Sequence, residues 1–164
     1  MLRKLLIALG ILVALAGLVT LIGYSLPVAH TASRTASLTQ PPDRVYVVLT
    51  DVQSYSQWRS DVKSVEDLAA SPRRWREHGS NGDLTFEVVE ANPPGRLVTR
   101  IADRDLPFGG TWTYQLTPEG GGTRLTITED GEVYNPIFRF MSRFVFGHTA
   151  TMDQFLSDLK KRVG

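Results

Sequence analysis

Between Leu5 and Leu26 the chain reads LLIALGILVALAGLVTLIGYSL, 22 residues without a charged side chain. A run that apolar on all sides belongs inside protein or inside lipid. As a helix rising about 1.5 Å per residue it is about 33 Å long, enough for a hydrocarbon core of about 30 Å. Tyr24 stands at the distal end, where an amphipathic ring suits the interface, and Pro27 ends the helix. A cleaved signal peptide has an apolar region of roughly 7–15 residues followed by small residues at the cleavage site. This run is longer, and the nearest small-x-small candidates, Ala29-His30-Thr31 and His30-Thr31-Ala32, fit poorly. Residues 1–26 therefore read as an uncleaved transmembrane anchor in preference to a signal peptide or a buried core helix. Arg3, Lys4 and the initiating amine precede the span, whereas Arg34 is the first cation after it. The positive-inside rule then places the N-terminus in the cytoplasm and the body outside it.

The remaining chain has room for one domain. Residues 27–33 read as a linker reaching roughly 23 Å at about 3.3 Å per residue, which holds residues 34–164 close to the bilayer. Beyond Leu26 there are 16 basic and 17 acidic residues, a near-neutral body without a basic stripe. That argues against nucleic acid as a partner. Cysteine is absent, which excludes disulfides and thiolate chemistry. His30, His78 and His148 share no metal-ligand spacing. Triads, phosphate-binding loops and dinucleotide fingerprints are missing, so no cofactor is indicated.

The pattern from Arg34 predicts a strand over 34–39, then a short helix started by Pro41-Pro42 with Val45, Val48, Leu49 and Val52 on one face. A second short helix is expected around Tyr55 and Trp58. Six strands follow over 63–69, 73–78, 83–91, 96–103, 111–117 and 123–133, divided by Gly/Pro turns in the manner of an antiparallel meander. Trp112, Tyr114 and Leu116 alternate with polar residues, as do Leu125 and Ile127, so one sheet face is buried. Asn135 and Pro136 then signal a helix to about Arg162, whose apolar stripe includes Phe144, Val145, His148, Met152, Phe155 and Leu159.

Three stretches carry a resemblance: PPDRVYVVLTDVQSYSQWRSDV (41–62), GGTWTYQLTPEGGGTRLTITEDGEV (109–133) and the C-terminal helix. Over residues 34–164 the chain resembles the START-like superfamily, in its polyketide cyclase/dehydrase-like (SRPBCC) branch. The resemblance implies an α+β helix-grip fold, a curved antiparallel β-sheet wrapped around a long C-terminal helix, here preceded by one transmembrane helix. It also implies an apolar cavity between sheet and helix that takes lipids, sterols, polyketides or other hydrophobic small molecules. No catalytic signature defines the branch, and the membrane span departs from its usual small cytosolic members.

Candidate ligand-binding residues follow. Trp58, Trp75, Phe86, Trp112 and Tyr114 each read first as core. With Phe144 and Met152 they are many bulky groups for a domain of this size, and any that fail to interdigitate leave a cavity. His148 lies on the helix stripe, as a polar contact for a ligand or as a core-edge histidine. Glu129 continues the inward phase of Leu125 and Ile127, unless a bulge near Gly131 turns it outward; a buried carboxylate needs a partner. Glu77 has a similar claim on a strand of poorer pattern. Phe108, Phe138, Phe140 and Phe146 suit a cavity mouth, a membrane-touching patch or packing under loops. Arg73, Arg74 and Arg76 read as a solvated strand edge before a contact for anionic head groups.

The function expected is binding of a hydrophobic, lipid-like molecule beside the membrane. Two alternatives stand beside it. One is a cyclase/dehydratase-type enzyme using an inward Glu129–His148 pair. The other is a protein-interaction module with a closed cavity.

Overall fold

The computed structural model describes residues 1–164. Helix α1 (Leu2–Ser25) has a mean hydropathy of 2.9 over its best window, none of which is buried. It is long and apolar enough to cross a membrane. It stops where expected: Leu26, just ahead of Pro27, is extended.

The strand that follows starts earlier than its sequence pattern suggests. Strand β1 runs Ala29–Leu38, so residues 29–33 are not linker and only Leu26–Val28 separate α1 from β1. The physical reason is pairing. From Ala29 opposite Glu132 to Leu38 opposite Thr123, β1 is hydrogen-bonded to β7 (Gly122–Val133). Its small and polar residues hide that in the sequence, because Ala-His-Thr-Ala-Ser offers no hydrophobic alternation.

Helix α2 (Pro42–Thr50), a 3₁₀ turn (Val52–Ser54) and the single turn α3 (Tyr55–Trp58) come next. Strands β2 (Val62–Ala70), β3 (Arg73–Gly79), β4 (Gly82–Asn92), β5 (Arg96–Ile101) and β6 (Phe108–Glu119) form the meander with β7. All neighbours are antiparallel, in the order β1-β7-β6-β5-β4-β3-β2. Leu97, Tyr114, Leu116, Leu125 and Ile127 from the sheet meet Val45 and Leu49 from α2 and Met152, Phe155 and Leu159 from the last helix. Leu49, Leu125, Ile127, Met152 and Leu159 are within 1% of full burial, each worth about 1.5–3 kcal/mol.

The C-terminal helix is broken. Asn135 caps α4 (Pro136–Met141) by accepting from the amides of Ile137 and Phe138 at 2.9 and 3.2 Å. A π-helical turn (Ser142–Phe146) follows, Gly147 takes φ +75°, and α5 (Ala150–Val163) starts afresh. Positive φ costs a glycine nothing and ends a helix. The break changes the helical phase, so the expected continuous stripe holds only along α5, at Met152, Phe155, Leu156, Leu159 and Val163.

Helix α4 also fastens α1 to the domain. Gly23 is buried, and an added Cβ there would collide with the Pro136 carbonyl. Arg139, 8% exposed, donates to the carbonyls of Leu26 at 2.9 Å and Tyr134 at 3.2 Å.

Candidate functional site: a cavity between sheet and helix

The core does not fill the space between the sheet and the segment from α4 to α5. A cavity of about 380 Å³ remains, and 13 of its 30 lining residues are hydrophobic, so its wall is mixed. Trp75, Phe86, Trp112, Tyr114, Glu129 and His148 all line it. Phe144 does not: after the helix break it is 60% exposed. Met152 is fully buried in the core cluster. Trp58 packs edge-on between Tyr55 and Phe155 outside the wall, with its buried indole N–H unpartnered.

At one end lies an ion network centred on Arg59. Its guanidinium donates to Asp61 at 2.7 Å and Glu77 at 3.0 Å, and lies over the rings of Tyr55 and Phe155 at 4.9 and 5.3 Å. The Trp75 indole also donates to Glu77, at 2.9 Å. Arg59 and Glu77 side chains are 11% and 7% exposed. Burial pushes the Glu77 carboxyl above its usual range, against the pull of Arg59 and Trp75. Burial alone would lower Arg59, but Glu77 and Asp61 outweigh it and raise it. Burial likewise raises the hydroxyls of Tyr55 and Tyr114, and that of Tyr55 donates to the Leu49 carbonyl at 2.6 Å.

At the other end Glu129 points inward. Strand β7 stays in register through Gly131, with Trp112 opposite Glu129 and Gly110 opposite Gly131, so no bulge turns it out. It accepts from the Trp112 indole at 2.9 Å and pairs with His30 Nε2 at 3.1 Å. The His30 ring stacks on His148 at 3.9 Å between centroids. Burial lowers the His148 imidazole, and His30 and Arg143 lower it further. The expected direct Glu129–His148 pair is not formed: His30 lies between them, paired with Glu129 and stacked on His148.

Sequence reasoning misses His30 as a site residue and Arg59 altogether. The pattern leaves His30 in a linker, and Arg59 carries no signal beyond an Arg-x-Asp spacing next to Trp58. Phe108 lines the cavity. Phe138 and Phe146 line it while being 51% and 63% exposed, whereas Phe140 packs against Phe144 instead. Arg73 and Arg74 are spent on ion pairs with Asp67 and Glu87, and Arg76 donates to Thr85 at 3.3 Å.

A curved seven-stranded antiparallel sheet closed over by a C-terminal helix, with a cavity between them, defines a START-like helix-grip domain. The family described as "Polyketide cyclase / dehydrase and lipid transport" matches residues 29–164, and the chain belongs to it. No curated protein matches the sequence. Among solved structures, a START superfamily protein from Mycobacterium smegmatis is similar, with TM-score 0.66, 20% identity and coverage of 82% of this chain and 97% of that one. A protein of Thermus thermophilus is similar at TM-score 0.65 and 24% identity, over 82% and 97% of the two chains. A Thalictrum flavum norcoclaurine synthase point mutant, in complex with a transition state analogue, superimposes at TM-score 0.67 with 9% identity, over 84% and 96%. At these identities the likeness is one of fold.

Proposed function

We propose that the chain binds a hydrophobic, lipid-like small molecule in this cavity while α1 anchors it to a membrane. The observation that carries the reading is the cavity itself. Interiors normally close-pack, and about 380 Å³ of space walled by Trp75, Phe86, Trp112 and Tyr114 is the size of a ligand site. The same space weighs against the interaction-module alternative, which requires a closed interior. Burial of the ligand's apolar body supplies affinity, at about 25 cal/mol per Å². The arginines of the wall are already matched: Arg59 to Asp61 and Glu77, and Arg100 to Glu87. An anionic head group therefore finds no free partner among them.

The test is mass spectrometry of small molecules that co-purify with the full chain from membranes. A bound apolar compound that Ile101→Trp displaces, by narrowing the cavity, supports binding. A folded protein that carries nothing and takes up no member of a lipid panel overturns it.

A second reading is catalytic, favoured by the Glu129–His30 contact with its stacked His148. A carboxylate-oriented imidazole is a general base in form. Conversion of the extracted ligand, lost in Glu129→Gln while binding persists, would favour this reading. An unchanged ligand after prolonged incubation rejects it.

A further inference from the structure

We infer that the cavity opens into the lipid leaflet, with the segment from α4 through the π-helical turn immersed at the membrane interface. This rests on α1 spanning the membrane and adds where the ligand enters.

The depth follows from which part of α1 the domain covers. Val19, Thr20 and Ile22 are half-buried, Gly23 is buried, and every residue before Val19 is exposed. That covered face packs on α4, with Gly23 against Pro136 and the Leu26 carbonyl held by Arg139. Val19 to Leu26 is about 10 Å of helix axis at about 1.5 Å per residue. A span that begins after Lys4 and is only about 33 Å long places that stretch in the last third of the bilayer, from outer acyl chains to head groups. Helix α4 lies alongside it and shares its depth.

What α4 and the π-helical turn present there is mainly apolar, with Arg143 the one exposed charged side chain among it. Ile137, Phe138, Phe144, Val145 and Phe146 are 48–63% exposed, more apolar side chain within ten residues than a water-facing surface favours. Tyr24 and Tyr134, 68% and 48% exposed, flank these side chains with the amphipathic rings typical of an interface. Phe138 and Phe146 belong to both patch and cavity wall, so the apolar rim of the opening meets the acyl region. Asn81 and Gly82 of the β3–β4 turn add polar groups elsewhere in the lining. An apolar ligand therefore passes from leaflet to cavity without crossing water.

The chain has no cysteine, so single-cysteine variants accept an environment-sensitive fluorophore at one place. Phe144→Cys and Val145→Cys are compared with Val47→Cys, which is equally exposed at 62% but lies on α2. The labelled full chain is reconstituted in phosphatidylcholine vesicles containing lipid spin-labelled high on the acyl chain. The expected result is blue-shifted emission and several-fold quenching at positions 144 and 145, with water-like, unquenched emission at 47. Water-like emission at 144 and 145, in chain that resists carbonate extraction, overturns the immersed opening and leaves ligand binding standing. Blue-shifted emission without lipid quenching overturns it too, since the patch is then covered by protein, such as a second copy. Chain released by carbonate removes the anchor and this inference together.

Discussion

His30 and Glu129 meet at 3.1 Å across the β1–β7 pair, although 99 residues of chain separate them. The contact ties the first strand after α1 to the cavity wall, where His148 stacks on the His30 ring.

Burial of His148, reinforced by His30 and Arg143, makes stability depend on pH. The folded state holds the His148 pKa below its ordinary 6.5, so below neutrality the unfolded chain binds more protons than the folded one. Its contribution is intact above about pH 6.5 and is lost as pH falls toward the lowered folded value. The melting temperature should fall between about pH 7.5 and about pH 5.5, and His148→Gln should flatten that fall. An unchanged slope in the variant would assign it to other groups.

Arg59→Met should destabilise strongly. It strands Glu77 at 7% exposure without its cation, and breaking a buried pair from one side costs about 3–5 kcal/mol. The double variant Arg59→Met/Glu77→Leu should recover most of that loss in urea unfolding. If the double variant were no more stable than the single, the cost would lie in packing over Tyr55 and Phe155 instead.

Asp158, 3% exposed, ties α5 to the chain after α3. Burial alone would raise its carboxyl, but the Ser60 hydroxyl and amide, at 2.6 and 2.8 Å, with Gln154 and Lys161, hold it at about 2. Its contribution is complete above the unfolded value of 3.8 and disappears as pH falls through about 2. At neutral pH it amounts to about 2 kcal/mol. Asp158→Asn should lose about that much in denaturant unfolding at neutral pH, and the difference from wild type should vanish near about pH 2.

Arg139→Ala should loosen the junction between anchor and domain. It deprives the part-buried Leu26 and Tyr134 carbonyls of a charged donor, a loss of about 1 kcal/mol where water can partly replace it. Limited proteolysis should then cut at Leu26–Val28 several times faster, with the domain from Ala29 onward staying resistant. Equal cutting rates would mean that the Gly23–Pro136 contact holds the joint without the arginine.

The elements most legible in the sequence are those with strict periodicity. Leu125 and Ile127 announce the inward face of β7, and Glu129 follows in the same phase into the cavity. Asn135-Pro136 announces a helix start. The break at Gly147 is masked by the apolar residues on both sides, which continue a helical stripe in sequence that the π-helical turn disrupts in space. That is why the pattern points Phe144 into the cavity while the folded chain leaves it outside. Met152 and Trp58 lie on the expected side of their elements, but pattern alone does not separate a core position from a cavity wall. His30 and Arg59 depend on long-range pairing, with Glu129 and Glu77, and no local pattern encodes such partners.

Only Leu26–Val28 lie between the end of α1 and the start of β1. If α1 anchors the chain as proposed, a domain held this short cannot sweep a volume of solution; it drifts with α1 across a surface. Encounter with the proposed ligand would then become a two-dimensional search, with occupancy set by the ligand's mole fraction among neighbouring lipids, not by its aqueous concentration. A compound too insoluble to be measured in buffer can saturate such a protein.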